Sequence, residues 1–145
     1  WRFIRVHDAQ RPALADSFAQ ALLERDAQAT PEQVAQAREK AFRAPLLMLL
    51  VVDAACGDAD IDLHERLISA GCAVQNMLLM ATAQGFGSAL TSGKALKSTA
   101  LRNLFCLQAH EHAPCFISIG TAHTRKPTKP RPNPEKLLSS LGGAV

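Results

Sequence analysis

Between Leu67 and Gly93 the chain carries no Asp, Glu, Lys, Arg or His. From Leu63 to Gln84 the apolar periodicity is helical, with Leu67, Ala70, Val74, Met77, Leu78 and Ala81 on one stripe. The opposite face is uncharged as well. A membrane span needs about 20 predominantly apolar residues, whereas this run contains Gln75, Asn76, Thr82, Gln84 and several glycines, for which a bilayer is a poor solvent. A helix with no charged face must therefore be enclosed by protein. In a short chain, either it threads the centre of the domain or its second face meets a partner subunit.

The rest of the chain sets bounds on that choice. With 145 residues and 48% hydrophobic content, one globular domain over residues 1–145 is expected, burying roughly 68–70% of its unfolded surface. Disorder is expected only at the C-terminal end. The first residue is Trp1, which suggests a sequence beginning partway through a longer product. From residue 122 onward Arg125, Lys126, Lys129, Arg131 and Lys136 face the single acid Glu135, so the net charge of +3 is concentrated in an extended, Pro-rich tail. That placement points to one anionic ligand or surface. Cys56, Cys72, Cys106 and Cys115 have neither CxxC spacing nor disulfide-scaffold density. Reduced thiols in a cytoplasmic protein are the simpler reading.

Arg2 to His7 reads as a short strand, and Ala13 to Arg25 as an amphipathic helix with Leu14, Phe18, Ala21 and Leu22 at helical spacing. Thr30-Pro31-Glu32-Gln33 is a helix start, with Thr30 as cap and Pro31 in the first turn; this helix runs to about Arg43 and Pro45 ends it. Leu46 to Val52 is a continuous apolar run, as expected of a strand buried on both faces. Asp53 to Asp62 is an acidic loop. After the turn Gly85-Phe86-Gly87, Ser88 to Thr91 forms a strand and Lys94 to Phe105 a helix, with Ser92 as its N-cap. Cys115 to Ile119 is a second buried strand. Alternating helices and apolar strands give an α/β or α+β class.

Several motifs fail on inspection. Asp58, Asp60 and Asp62 invite a calcium loop, but the required Gly and Glu positions hold Leu63 and Ser69. His110, His112 and Cys115 lack structural-zinc spacing and read as an exposed loop. Gly85-x-Gly87 has Leu90 where a dinucleotide fingerprint needs its third glycine, and it follows a helix instead of a strand. Ser88 to Lys94 misses the P-loop at Ser88 and Ala95. No nucleophile with an adjacent base stands out. Arg125 to Arg131 is basic, but no aromatic stacking set or DNA-reading module accompanies it, so nucleic acid is not an expected partner.

The run Ser69-Ala70-Gly71-Cys72-Ala73-Val74-Gln75-Asn76-Met77-Leu78-Leu79-Met80-Ala81-Thr82-Ala83-Gln84-Gly85-Phe86-Gly87-Ser88 resembles the core helix and turn of FMN-dependent NAD(P)H nitroreductases. Phe42-Arg43-Ala44-Pro45 before the apolar strand, Leu90-Thr91-Ser92-Gly93, and Ile117-Ser118-Ile119-Gly120-Thr121 before a basic tail are similar to the small YdjA-like branch of that family. Trp1 resembles the tryptophan of the family's Pro-Trp-x-Phe strand entry. Each motif is weak alone, and their collinearity is specific.

The resemblance implies an α+β, nitroreductase-like fold: a central, mostly antiparallel sheet flanked by helices, in a homodimer with FMN sites at the subunit interface. It places Leu90, Thr91, Ser92 and Gly93 on a flavin-contacting strand and loop. It matches Lys129 and Arg131 to a Lys-x-Arg pair that some members set on the FMN phosphate; residues two apart on an extended backbone point the same way, and Pro130 and Pro132 stiffen it. The family's N-terminal Arg-Arg-Ser segment precedes the point where this sequence starts. The implied chemistry is hydride transfer from NAD(P)H through flavin N5 to a nitro compound, quinone or similar small acceptor, with the cofactor carrying the reaction and no catalytic residue assigned. A flavin-binding or flavin-consuming protein of the same fold is the alternative.

Overall fold

The computed structural model of the chain describes residues 1–122 and 129–142. The apolar run is strand β2 (Leu46–Asp53), and it organises the molecule. Strand β1 (Arg2–Arg5) pairs antiparallel with one side of β2, with Phe3 opposite Leu50. Strand β5 (Phe116–Gly120) pairs antiparallel with its other side, with Met48 opposite Ile117. Strand β3 (Gly87–Thr91) closes the order β1-β2-β5-β3 as an edge strand, and the two-residue β4 (Glu111–His112) extends the far end of β2. Every pairing among the described residues is antiparallel. The sheet with its flanking helices is the α+β arrangement expected.

The period of two along β2 divides the core into two. Leu47, Leu49 and Val51 point to one face, where they meet Leu14 and Phe18 of α1 (Arg11–Arg25), Ala37 of α2 (Pro31–Glu39), Leu101 of α4 (Thr99–Leu104), and Phe116. Met48, Leu50 and Val52 point to the other, where they meet Ala70 and Val74 of α3 (Leu63–Ala83) and Ile117. Each fully buried aliphatic side chain contributes about 1.5–3 kcal/mol, which is why the apolar run Leu46 to Val52 sits at the centre.

Local signals set the boundaries. Thr30 caps α2 in a capping box: its hydroxyl accepts from Gln33 N–H, and the Gln33 side chain accepts from Thr30 N–H. Asp62, at the end of the acidic loop, caps α3 by accepting from the N–H groups of His64 and Glu65, and these bonds hold its carboxyl below the ordinary range. The loop itself is held by Arg66, which donates to the carbonyls of Cys56, Asp58 and Ile61.

Two expectations need correction. The second helix does not run to Arg43. α2 ends at Glu39 and tightens into a 3-10 turn over Lys40–Phe42, and the carbonyls of Ala41, Ala44 and Pro45 beyond are taken by the buried Arg11 guanidinium. Nor does one helix span Lys94 to Phe105 with Ser92 as its cap. A 3-10 turn covers Lys94–Lys97, Ser98 breaks it with an extended backbone, and Ser98 caps α4 by accepting from Leu101 N–H.

Helix α3, without charge from Leu67 to its end, covers one face of the sheet and does not thread the centre. Ala70, Val74 and Ala81 are buried as the stripe requires, while Ile68, Leu79 and Met80 on the outer face are 68%, 58% and 59% exposed. No described helix is long and apolar enough to cross a membrane.

Candidate functional site

The path into the site begins where α3 stops. Gly85 takes φ 81°, its N–H donates to Thr82 O (3.0 Å), and Phe86 N–H donates to Ala81 O (2.9 Å). This is the Schellman termination, which places a glycine in the left-handed region to close the last turn. The chain reverses directly into β3. There Leu90 lies opposite Ile117 and Thr91 opposite Phe116. Cross-strand partners share a face, so Leu90 belongs to the α3 side and Thr91 to the side of α1 and α2.

After Thr91 the backbone leaves the sheet through Ser92 and Gly93. Gly93 has φ 144°, a conformation that only glycine adopts without strain, and a methyl group built on it meets no atom within 4 Å. The backbone is thus open to close approach. The Thr91 and Ser92 hydroxyls are exposed, and neither makes a hydrogen bond among the described residues.

Thr91, Ser92 and Gly93 line one rim of a cleft of about 260 Å³. Its other walls are Phe18, Leu22 and Arg25 of α1, Gln33, Gln36 and Ala37 of α2, then Lys40, Arg43 and the turn from Lys94 to Leu96, over a floor at Phe116. Four of the lining residues are cations, and among the described residues none is acidic.

Arg11 fixes one wall. Only 3% exposed, it donates from Nη1 to the carbonyls of Ala41 (2.6 Å) and Ala44 (2.9 Å), and from Nη2 to Pro45 O (2.8 Å). These bonds shape residues 41–45, beside which Lys40 and Arg43 face the cleft. Gly120 locks the same segment from the sheet: a β-carbon there would lie 2.6 Å from Pro45 Cδ, so the rigid proline ring leaves no room for any other residue.

The structure brings together part of the expected set. Thr91, Ser92 and Gly93 share the cleft, whereas Leu90 sits on the other face of the sheet, 49% exposed. Lys129 and Arg131 lie on an exposed stretch outside this cleft, followed by a 3-10 turn at Pro134–Lys136. Arg125 and Lys126 lie outside the described residues. Arg25, Lys40 and Lys94 also line the cleft, and no sequence motif marks them. Arg43 lay inside the Phe-Arg-Ala-Pro motif, but its direction is set by Arg11, which no local pattern reveals.

These residues fit a flavin mononucleotide on the donor side. Exposed hydroxyls and an accessible backbone suit its oxygen- and nitrogen-rich edge.

A larger apolar groove of about 890 Å³ lies on the opposite face, lined by Met48, Met77, Met80, Phe86 and Ile119 among others. It adjoins the exposed face of α3 through Met80. Elsewhere Glu111 is a structural hub. Its carboxylate accepts from Gln108 N–H (3.0 Å) and from Arg2 (2.8 Å), and these bonds hold its carboxyl below the ordinary glutamate value. Cys115 is buried a few residues further on, and burial pushes its thiol up.

Comparison with known proteins gives a family, two relatives and two solved structures of like fold. A profile described as the nitroreductase family matches residues 1–121. A Haemophilus influenzae protein named as a putative NAD(P)H nitroreductase is 34% identical over 90 residues, 62% of this chain and 49% of its own length. An Escherichia coli K12 protein named as a putative NAD(P)H nitroreductase, YdjA, is 31% identical over 138 residues, 92% of this chain and 73% of its own length. The chain therefore spans about half of the first relative and about three quarters of the second. Among solved structures, a nitroreductase-like family protein from Bacillus cereus superposes with a TM-score of 0.77 at 16% identity, covering 99% of this chain and 74% of the other. The FMN- and NADPH-dependent nitroreductase NfnB from Sphigopyxis sp. strain HMH gives 0.73 at 16% identity, covering 98% and 80%. At those identities the likeness is one of fold.

Proposed function

Because the chain belongs to the nitroreductase family, we propose that it is an FMN-dependent oxidoreductase that takes electrons from NAD(P)H and passes them to a nitro compound, quinone or similar small acceptor. The observation that carries this reading is the exit of β3. Two exposed hydroxyls and a glycine at φ 144° with open space beside it stand over a cleft whose charges, among the described residues, are all positive.

Bound FMN supplies hydride transfer at its ring N5. The protein's share is to bind and orient. Thr91 and Ser92 donate hydrogen bonds to the ring edge or ribityl chain, the bare backbone of Gly93 lets the ring approach, and Leu90 supports the strand from the α3 side. Lys129 and Arg131 hold the phosphate by charge-assisted hydrogen bonds.

The working unit in this reading is a cytoplasmic homodimer with the flavin at the interface. The uncovered face of α3 supports it: Ile68, Leu79 and Met80 form an exposed, uncharged surface running into the apolar groove at Phe86, and a second copy would bury it. The cysteines are free, and Cys56, Cys72 and Cys106 are exposed, which suits a reducing compartment.

FMN titration monitored by flavin fluorescence tests the site. The wild-type chain quenches or shifts the emission, and Thr91→Ala and Ser92→Ala each weaken binding by about two- to tenfold, the worth of one hydrogen bond at about 0.5–1.5 kcal/mol. A chain that leaves FMN fluorescence unchanged at any concentration refutes the proposal.

A further inference from the structure

The 3-10 turn Lys94–Lys97 borders a second concavity, of about 350 Å³. Its floor is aliphatic. Leu63 and Leu67 come from the start of α3, Leu96 from the turn, and Ala113 and Pro114 from the link between β4 and β5. The concavity lies at the seam of the two core halves: Leu63 and Leu67 pack on the α3 side of the sheet, Leu96 and Ala113 on the other. Its remaining lining residues are all basic, Lys97 of the turn, Arg102 of α4 and His112 of β4. Among the described residues none of the three takes part in an ion pair. Arg102 donates to the carbonyls of Gln108 (2.6 Å) and Glu111 (3.1 Å), which fixes its guanidinium and leaves its charge without a counter-ion. The carboxylate of Glu111, beside His112, is already engaged by Arg2 and by Gln108 N–H. The floor thus suits hydrocarbon, and the rim suits an anion.

We propose that this concavity binds a small aliphatic carboxylate, its hydrocarbon on Leu63, Leu67 and Leu96 and its carboxylate at Lys97, Arg102 and His112. Among the described lining residues none is aromatic, so a ring would find nothing to stack on and an alkyl chain fits better. At about 30 Å³ per water the space equals that of about a dozen waters, room for a chain of roughly six carbons. Lys97 brings a point charge on a flexible stem, and His112 offers a ring N–H in either protonation state. Leu96 is also a wall of the cleft beside Thr91–Gly93, and its N–H donates to Gly93 O (3.2 Å). A carboxylate seated against Leu96 bears on the backbone that receives the flavin, which makes this an effector site for that cleft; this last step rests on the flavoenzyme reading above. The two ligands then alter each other's affinity by the same factor.

The test titrates the whole chain with sodium hexanoate at constant ionic strength, without flavin, followed by the backbone amide NMR signals. Saturable shifts at Leu63, Leu67, Leu96 and Ala113 are expected, with a Kd on the order of 1 mM for a ligand of this size, while hexylammonium chloride leaves these signals unmoved. Lys97→Gln and His112→Gln, both at exposed positions, each weaken binding about two- to fivefold, the worth of an exposed charge pair. Ala113→Leu fills the floor and abolishes binding with every charge kept. Lys40→Gln, in the cleft beside Thr91, leaves hexanoate binding within about twofold. Absence of saturable binding, equal binding of hexylammonium, or a loss with Lys40→Gln in place of Lys97→Gln refutes the site. An FMN titration with and without saturating hexanoate reads the coupling. A change in FMN affinity of about fivefold or more supports the effector role, and equal affinities refute that role and leave the carboxylate site standing. A chain that binds hexanoate but not FMN refutes the flavin reading and the effector role with it, and again leaves the site.

Discussion

Replacing Arg11 by Met separates the buried strut from everything the cleft residues do themselves. The side chain is 3% exposed, and its guanidinium makes three hydrogen bonds of 2.6–2.9 Å to the carbonyls of Ala41, Ala44 and Pro45. Hydrogen bonds from a charged donor contribute about 1.5–3 kcal/mol each. Burying the ion costs several kcal/mol, so the net loss is smaller than the sum. Asp8 does little to offset that cost: its carboxylate is fully exposed and 3.9 Å from Nε, which has no hydrogen-bond partner among the described residues. Met fills a similar volume but leaves three carbonyls without their donor, and a loss of about 3–5 kcal/mol is expected, a large share of the roughly 5–15 kcal/mol typical of a domain. With a urea dependence of about 2 kcal/mol per molar, the unfolding midpoint falls by about 1.5–2.5 M. Arg11→Lys, which keeps the charge but not the fork, falls between. A Met variant whose midpoint stays within about 0.3 M of wild type, with unchanged hydrogen-exchange protection across residues 41–45, refutes the strut and with it the fixed placement of Lys40 and Arg43.

Three other outcomes follow from the same geometry. Glu111 has a folded-state pKa below its unfolded one, so its contribution is complete above the ordinary glutamate range and is lost as the pH falls through the lower folded value; Glu111→Gln flattens that part of an acid-unfolding profile, and an unchanged profile contradicts the assignment. Gly85→Ala forces a side chain into φ 81° and lowers stability by about 1–2 kcal/mol, whereas Cys106→Gly relieves φ 50° at the equivalent position after α4 and is neutral or stabilising by up to about 1 kcal/mol, both read by thermal unfolding. Leu79→Glu puts a charge on the exposed apolar face of α3; sedimentation equilibrium should show a wild-type dimer dissociating to monomers, and a wild-type monomer contradicts the dimer.

Much of the scaffold was legible because single residues carry local signals. Thr30-Pro31-x-Gln33 encodes a capping box that forms as written, and the apolar run of β2 could satisfy its side chains only at the centre of a sheet. The stripe of α3 was legible for the same reason, but its other face was not. A helix uncharged from Leu67 onward is compatible with burial in the domain or against a second copy, and only the packing of Ala70 and Val74 on β2 shows which face the domain uses. The segment after α2 depends on a distant partner. The carbonyls of Ala41, Ala44 and Pro45 are taken by Arg11, some thirty residues earlier, and a lone arginine beside a proline announces nothing of the kind. The site was half legible. Leu90-Thr91-Ser92-Gly93 stood out as a motif, yet its strand alternation sends Leu90 to the opposite face. The cations facing Thr91 are scattered from Arg25 to Lys94 and meet only in the fold.

In the proposed function, electrons pass from a nicotinamide donor to a flavin held by this chain. Anaerobic mixing of the FMN-loaded protein with NADH or NADPH tests it most directly, with the visible flavin band as the readout. The expected result is bleaching that saturates with donor concentration, with full recovery of the band when a quinone or nitroaromatic acceptor is added. A protein that holds FMN but leaves the band unbleached by either donor contradicts it.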